Sequence, residues 1–241
     1  MAYPIAPGGL AAILAHPDDE SFGCAGALAI AHDAGATTRL LVVTRGEAGS
    51  ADGGSDPATG DQREAELICA ARAIGLDEVS LLDGYPDGGV ADQPFERLVD
   101  EIAAWLADRR PAAVITFGPH GVTGHPDHVA VGNATRWAVE RLADRGIAPN
   151  AVYVISPIFD PSGTQYDLSG EEQAATHRIP ITEVAARKAE ALGCHGSQTD
   201  ASEELSALKA AIESGEPIHE GYHRVRPLVP SPHPDFDTAL L

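Results

Sequence analysis

Leu10-Ala-Ala-Ile-Leu-Ala15 runs directly into His16-Pro17-Asp18-Asp19-Glu20, and about a hundred residues later Ala112-Ala-Val-Ile-Thr-Phe117 leads through Gly118–Gly124 into His125-Pro126-Asp127-His128. Each run is almost wholly apolar, the pattern of a strand buried on both faces. Each is followed by a histidine three residues ahead of a second side chain able to bind metal, with Pro-Asp between them. A phrase written twice, each time at a strand end, is the pattern of one site assembled from two loops.

The alternation of apolar runs and helical stretches continues outward. Ser21–Ala34 reads as a helix ending at Gly35, Thr38–Thr44 as strand two, and Asp61–Ile74 as a helix stopped by Gly75. Val79–Leu82 is strand three, Pro94–Asp108 a helix, Ala112–Phe117 strand four, His125–Asp144 a long helix and Ala151–Ile155 strand five. Such units with short connections predict an α/β fold, a Rossmann-like three-layer α/β/α architecture with a mainly parallel sheet. The usual doubly wound order makes strands one and four neighbours. The site is therefore expected at their carboxyl ends, where the chain reverses direction. One domain is expected over residues 1–241, with its core in 8–155 and a substrate-shaping part in 156–241. There Ser156–Ile179 reads as a long irregular loop, Thr182–Leu192 and Glu203–Glu213 as helices, and the stretch from Pro227 as an extended strap or a mobile tail.

The net charge is −20, and the chain's basic residues form no stripe. That composition argues against nucleic acid or an anionic membrane surface as partner. Leu10–Ala15 is too short for a signal peptide or a membrane span, so a soluble cytoplasmic protein is expected. Cys24, Cys69 and Cys194 are odd in number and scattered, which predicts buried free thiols in a reducing compartment. The oligomeric state is left open, a homo-oligomer being compatible with it.

Two histidines and a carboxylate form a common catalytic zinc set that leaves a coordination position for water. His16, Asp19, His125 and His128 are four candidates for three positions. A zinc site brings the pKa of water to about 7 and polarises a carbonyl. A carboxylate outside the ligand set must then take the water's proton, and Asp18 is placed for it. His125 is a candidate acid for a leaving amine. Pro17 and Pro126 suit the first turn of a helix.

These residues resemble those of the PIG-L/LmbE family of zinc-dependent de-N-acetylases. That family includes N-acetylglucosaminyl-phosphatidylinositol deacetylases and the deacetylases and amidases of mycothiol and bacillithiol metabolism. The resemblance covers most of the chain: Ala15–Ala29, Val43–Gly49, Arg63 and Glu66 leading to Gly75, Gly84–Gly88, Gly118–His128, and Lys188 to Gln198. It implies Zn²⁺ on His16, Asp19 and His128, a set that also takes Fe²⁺, Co²⁺ or Mn²⁺. It makes Asp18 the general base and His125 the acid or electrostatic partner. It puts Arg63 and Asp87 at the sugar or its anionic appendage, and His195 behind the ligands. The partner it implies is a small-molecule N-acetylated amino sugar or glycoconjugate. Some members carry a tyrosine two residues before the acid histidine; here that position is Thr123, which leaves the oxyanion more to the metal and His125. Two competing functions use the same residues. One is an amidase removing a larger acyl group, as from a thiol-sugar conjugate. The other is a carbohydrate-binding protein without catalysis, against which Asp18 argues.

His219-Glu220-Gly221-Tyr222-His223 matches the H-E-x-x-H pattern of zinc proteases, which requires a helix. Gly221, Pro217 and Pro227 oppose one, and Val225 between arginines reads as a strand. Arg45-Gly46-Glu47 lacks the glycines of a phosphate loop. Trp105 and Trp137 are expected in the core, and His32, His120, His177 and His233 at surface or packing positions.

Overall fold

The sheet grows outward from β1 (Leu10–Leu14). On one side lie β2 (Thr38–Val42) and then β5 (Glu78–Leu81); on the other lie β6 (Ala113–Thr116) and β7 (Ala151–Ile155), all parallel. β9 (His219–Arg226) runs antiparallel to β7, and β8 (His177–Pro180) antiparallel to β9, giving the order β5-β2-β1-β6-β7-β9-β8. β3 (Ser50–Ala51) and β4 (Asp56–Pro57) form a separate two-stranded pair. The computed structural model describes residues 8–51, 56–57, 60–157, 168 and 170–226.

The helices are α1 (Asp19–Gly23), α2 (Ala25–Asp33), α3 (Gly60–Ile74), α4 (Phe95–Arg109), α5 (Pro126–Ala143), α6 (Gly170–Gln173), α7 (Ala185–Cys194) and α8 (Thr199–Ser214). α4 packs on α5, whereas α2, α3 and α8 pack around α7. The sheet between these groups is dry because β1, β6 and β7 have no exposed residue. Chain direction reverses between β1 and β6, as the doubly wound order requires, and the crevice opens at their carboxyl ends.

Close approach positions α5. A Cβ on Gly132 would lie 2.6 Å from the Phe117 carbonyl oxygen, so only glycine lets this helix sit against the end of β6. The first turn of α5 is thereby held over the sheet edge, with Pro126 at its first position, as expected.

Several expectations need correction. Cys69 and Cys194 are not free thiols. They form a disulfide between α3 and the end of α7, with Cα atoms 5.7 Å apart, and only Cys24 is a buried free thiol. Helix packing makes this pair, and no short spacing announces it. The cysteines therefore give no ground for a reducing compartment. The helix expected over Ser21–Ala34 breaks at Cys24 (φ −153°) into α1 and α2. Pro17 precedes α1 and is not in its first turn. Trp105 is buried, but Trp137 is 60 % exposed on α5. The stretch read as irregular up to Ile179 contains α6 and most of β8, while residues 158–167 and the stretch from Pro227 fall outside the described residues. The helix begun at Thr182 opens with a 3-10 turn, and α8 begins four residues before its expected start. Among the described residues no helix is long and apolar enough to cross a membrane.

The disulfide joins residues 125 apart in sequence. Such a link typically stabilises by about 2–4 kcal/mol, in large part by restricting the unfolded chain. Cys69→Ser is expected to lower the urea unfolding free energy by that amount, and dithiothreitol should have the same effect on the unmodified chain. Coincident unfolding curves with and without reductant would refute the link.

Candidate metal centre and active site

Beyond Leu14 the chain turns over the sheet edge into α1, and Asp18 takes φ 108° there, a strained value for a residue with a side chain. Buried partners hold it. Glu20 accepts from the Asp18 N–H (3.1 Å), and Arg63 donates to the Asp18 carboxylate (2.9 Å) and to the Pro17 carbonyl. Glu20 also accepts from the Ser21 hydroxyl (2.6 Å) and pairs with His195 Nε2 (2.8 Å); both Glu20 and His195 are fully buried. His195 thus braces Glu20, and Glu20 braces Asp18.

The second loop comes from β6. His125 caps α5, its Nδ1 accepting from the Asp127 N–H (3.2 Å). Gly121, at φ 65°, turns its carbonyl onto His128 Nδ1 (2.9 Å), and the His128 ring stacks on Phe117 at 4.1 Å. Asp127 is fully buried. It accepts from the N–H groups of Gly88 (2.7 Å) and Val90 (3.0 Å) and faces His16 Nε2 at 3.3 Å. Asp87 also meets His16 Nε2, at 3.1 Å, and accepts from the Ala48 N–H.

These contacts assign protons. His16 Nε2 faces two carboxylates and donates to them, so in a neutral ring Nδ1 would carry the lone pair; the Gly121 carbonyl does the same for His128 and would leave the lone pair on Nε2. These two nitrogens lie 3.2 Å apart, and the Asp19 carboxylate lies 3.2 Å from His128 Nε2 and 3.6 Å from His16 Nδ1. Nitrogens this close need positive charge between them, either a proton on one ring or a metal ion among all three groups. A tetrahedral zinc holds its ligand atoms roughly 3.3 Å apart. The donor set fits a divalent metal. His16, His125 and His128 also present ligand atoms within 4.8 Å of one another, as do His16, Asp87 and Asp127.

Electrostatics agree that positive charge belongs here. Burial opposes a charged His16, but hydrogen bonds to Asp127 and Asp87 and the charge of Asp19 raise its pKa to about 10. Burial likewise opposes a charged His128, and Asp19 outweighs it and raises the pKa. Asp19 is held low by His128 and His16 against the effect of burial. Burial pushes Asp18 up to about 7, although Arg63 pulls it down. His125 is lowered, first by burial and then by its histidine neighbours.

His16, Asp18, Asp19, Arg63, Asp87, His125 and His128 all line one cavity of about 560 Å³, within the range of small-molecule sites. His195 lies behind it. Thr123 is on the wall, 3.5 Å from His128 Nδ1. Sequence reasoning passed over Asp127 and Glu20, although both stand inside the quoted motifs. The H-E-x-x-H match lies on strand β9. Its Glu220 accepts from the N–H groups of Gly26 and Ala27 and from Lys188, tying β9 to α2 and α7.

The profile of the PIG-L family, described as GlcNAc-PI de-N-acetylase, matches residues 11–139. The chain belongs to this family. Among PIG-L relatives, the 1D-myo-inositol 2-acetamido-2-deoxy-alpha-D-glucopyranoside deacetylase of Nakamurella multipartita is 32% identical, over 95% of this chain and 92% of its own. A probable N-acetyl-alpha-D-glucosaminyl L-malate deacetylase of Bacillus subtilis is 30% identical, over 86% of this chain and 89% of its own. The crystal structure of a conserved protein of Thermus thermophilus superimposes with a TM-score of 0.69 at 27% identity, covering 94% of this chain and 99% of that one. The chain spans about half the length of the first curated relatives it matches, 48% in each case. The PIG-L match ends inside α5, so the cavity walls after residue 139 lie beyond it.

Glu20→Ala would leave the Asp18 N–H, the Ser21 hydroxyl and His195 without their buried acceptor. The expected cost is about 3 kcal/mol in urea unfolding. A loss below about 1 kcal/mol would contradict the bracing role.

Proposed function

We propose that this protein is a metal-dependent amide hydrolase that removes the N-acetyl group from an N-acetylglucosamine-type sugar or its conjugate. One observation carries the reading: two imidazole nitrogens and the Asp19 carboxylate converge at 3.2–3.6 Å, with the Asp18 carboxylate on the same cavity wall, in a member of a de-N-acetylase family. His16, Asp19 and His128 would hold the ion, and zinc suits this donor set best. When bound, such an ion acidifies water and polarises an amide carbonyl.

The chain's own groups do the rest. Asp18 lies on the cavity wall with its carboxylate fixed by Arg63, and takes the proton of the attacking water. Its strained backbone is what turns the carboxylate towards the cavity. His125 has Nδ1 occupied by the Asp127 N–H, so its proton sits on Nε2. From there it donates a hydrogen bond to the oxygen as negative charge develops, and the proton that Asp18 has taken from the water passes to the departing amine, which restores the Asp18 carboxylate. Arg63 keeps Nε and Nη1 without partners although it is only 2 % exposed, which suits it to hold the substrate's polar groups. Asp87 divides its carboxylate between His16 and the Ala48 N–H while lining the cavity, so it orients a ligand as well as meeting the sugar.

Metal analysis of the purified protein is expected to give about one divalent ion per chain. His128→Ala should lose it. Asp18→Asn should keep the ion and lose roughly 10²–10⁴-fold in acetate release from N-acetylglucosamine conjugates. Full turnover in the Asp18 variant would remove it as base, and acetate release that survives complete metal removal would remove the mechanism.

A further inference from the structure

The far side of the cavity is built by chain beyond the PIG-L match. Asp200, Glu203, Glu204 and Leu208 present one face of α8 to it, at spacings i, i+3, i+4 and i+8. Ile181 and Ile218 add an apolar wall, continued by Phe22 and Ile155. This arm therefore combines apolar surface with a carboxylate rim.

The lysine and arginine side chains lining the cavity, among the described residues, are Arg63 and Lys188. Both are buried and committed. Arg63 is balanced by Asp18 at 2.9 Å, and Lys188 by Glu220 at 2.8 Å with a further hydrogen bond to the Phe22 carbonyl. The remaining Arg63 N–H groups can donate to a neutral hydroxyl or carbonyl without supplying net charge. Around the proposed metal donors, Asp19, Asp87 and Asp127 would offset the charge of a divalent ion. None of the segments outside the described residues contains a lysine or an arginine.

We infer that this arm selects the charge of the substrate: it admits a neutral or cationic appendage on the acetylated amino sugar, such as a polyol or an amine, and rejects an anionic one. The inference rests on the deacetylase reading and narrows it. An anion in the arm would lose its hydration against isoleucine side chains, and the arginine and lysine that line the cavity are already paired with carboxylates. It would also approach through the field of a chain with net charge −20.

The test uses the metal-loaded full chain and N-acetylglucosamine conjugates of myo-inositol, of aminoethanol and of L-malate. Acetate release gives kcat/KM, and calorimetry gives binding of the same conjugates. The malate conjugate is expected to trail the other two by about tenfold or more at low salt, with the gap closing as salt rises. The double variant Asp200→Asn, Glu203→Gln should raise the malate-to-inositol ratio several-fold in both measurements. A malate conjugate that binds and reacts as well as the inositol conjugate overturns the inference, as does a ratio that the double variant leaves unmoved. Binding that discriminates by charge with no acetate released from any conjugate would overturn the deacetylase reading and leave the charge selection standing.

Discussion

A single buried carboxylate joins the three loops from which the site is made. Asp127 begins α5 after β6, accepts two backbone N–H groups from the loop after β5, and meets the imidazole of the histidine after β1. Burial raises the cost of its charge, yet those partners hold its pKa below the ordinary carboxylate value. The ionised form keeps His16 Nε2 protonated and turns Nδ1 towards Asp19 and His128. Without it, neither the mutual spacing of the loops nor the lone pair facing Asp19 and His128 would be specified. The strained Asp18 is held in a comparable way by Glu20 and Arg63. Two buried carboxylates that contact no solvent thus set the geometry of those that line the cavity.

Much of this was legible in the sequence because it rests on local pattern. Strands buried on both faces leave continuous apolar runs, and Leu10–Leu14 and Ala113–Thr116 could be read directly. The doubly wound rule then brought His16 and His128 together across roughly a hundred residues without any contact information. What was not legible depends on partners distant in sequence. Asp127 and Glu20 look like any surface acid until their buried donors are known. The Cys69–Cys194 bond depends on how α3 packs on α7. Cys24 sits in an alanine-rich stretch that favours helix, so the break between α1 and α2 reflects tertiary demand over propensity. Trp137 shows the opposite failure. A large apolar side chain on an amphipathic helix reads as core, but it lies on the outward side of α5.

The chain divides its labour along its length. The groups proposed to act at the amide all precede residue 139, within the part matched by the family profile. The elements after β7 add an antiparallel edge to the sheet and most of the outer cavity wall. Keeping the chemistry in one segment and varying the wall in another is how a single fold serves different substrates.

The disulfide has a topological meaning as well as an energetic one. It closes a covalent ring over the chain from Cys69 to Cys194. His125 and His128 lie within that ring; His16, Asp18 and Asp19 lie on the tail that precedes it. A single peptide bond cut anywhere inside the ring would leave both halves of the site on one covalent molecule. Only a thiol reagent would then part them, so a nicked chain would keep its apparent size on a non-reducing gel.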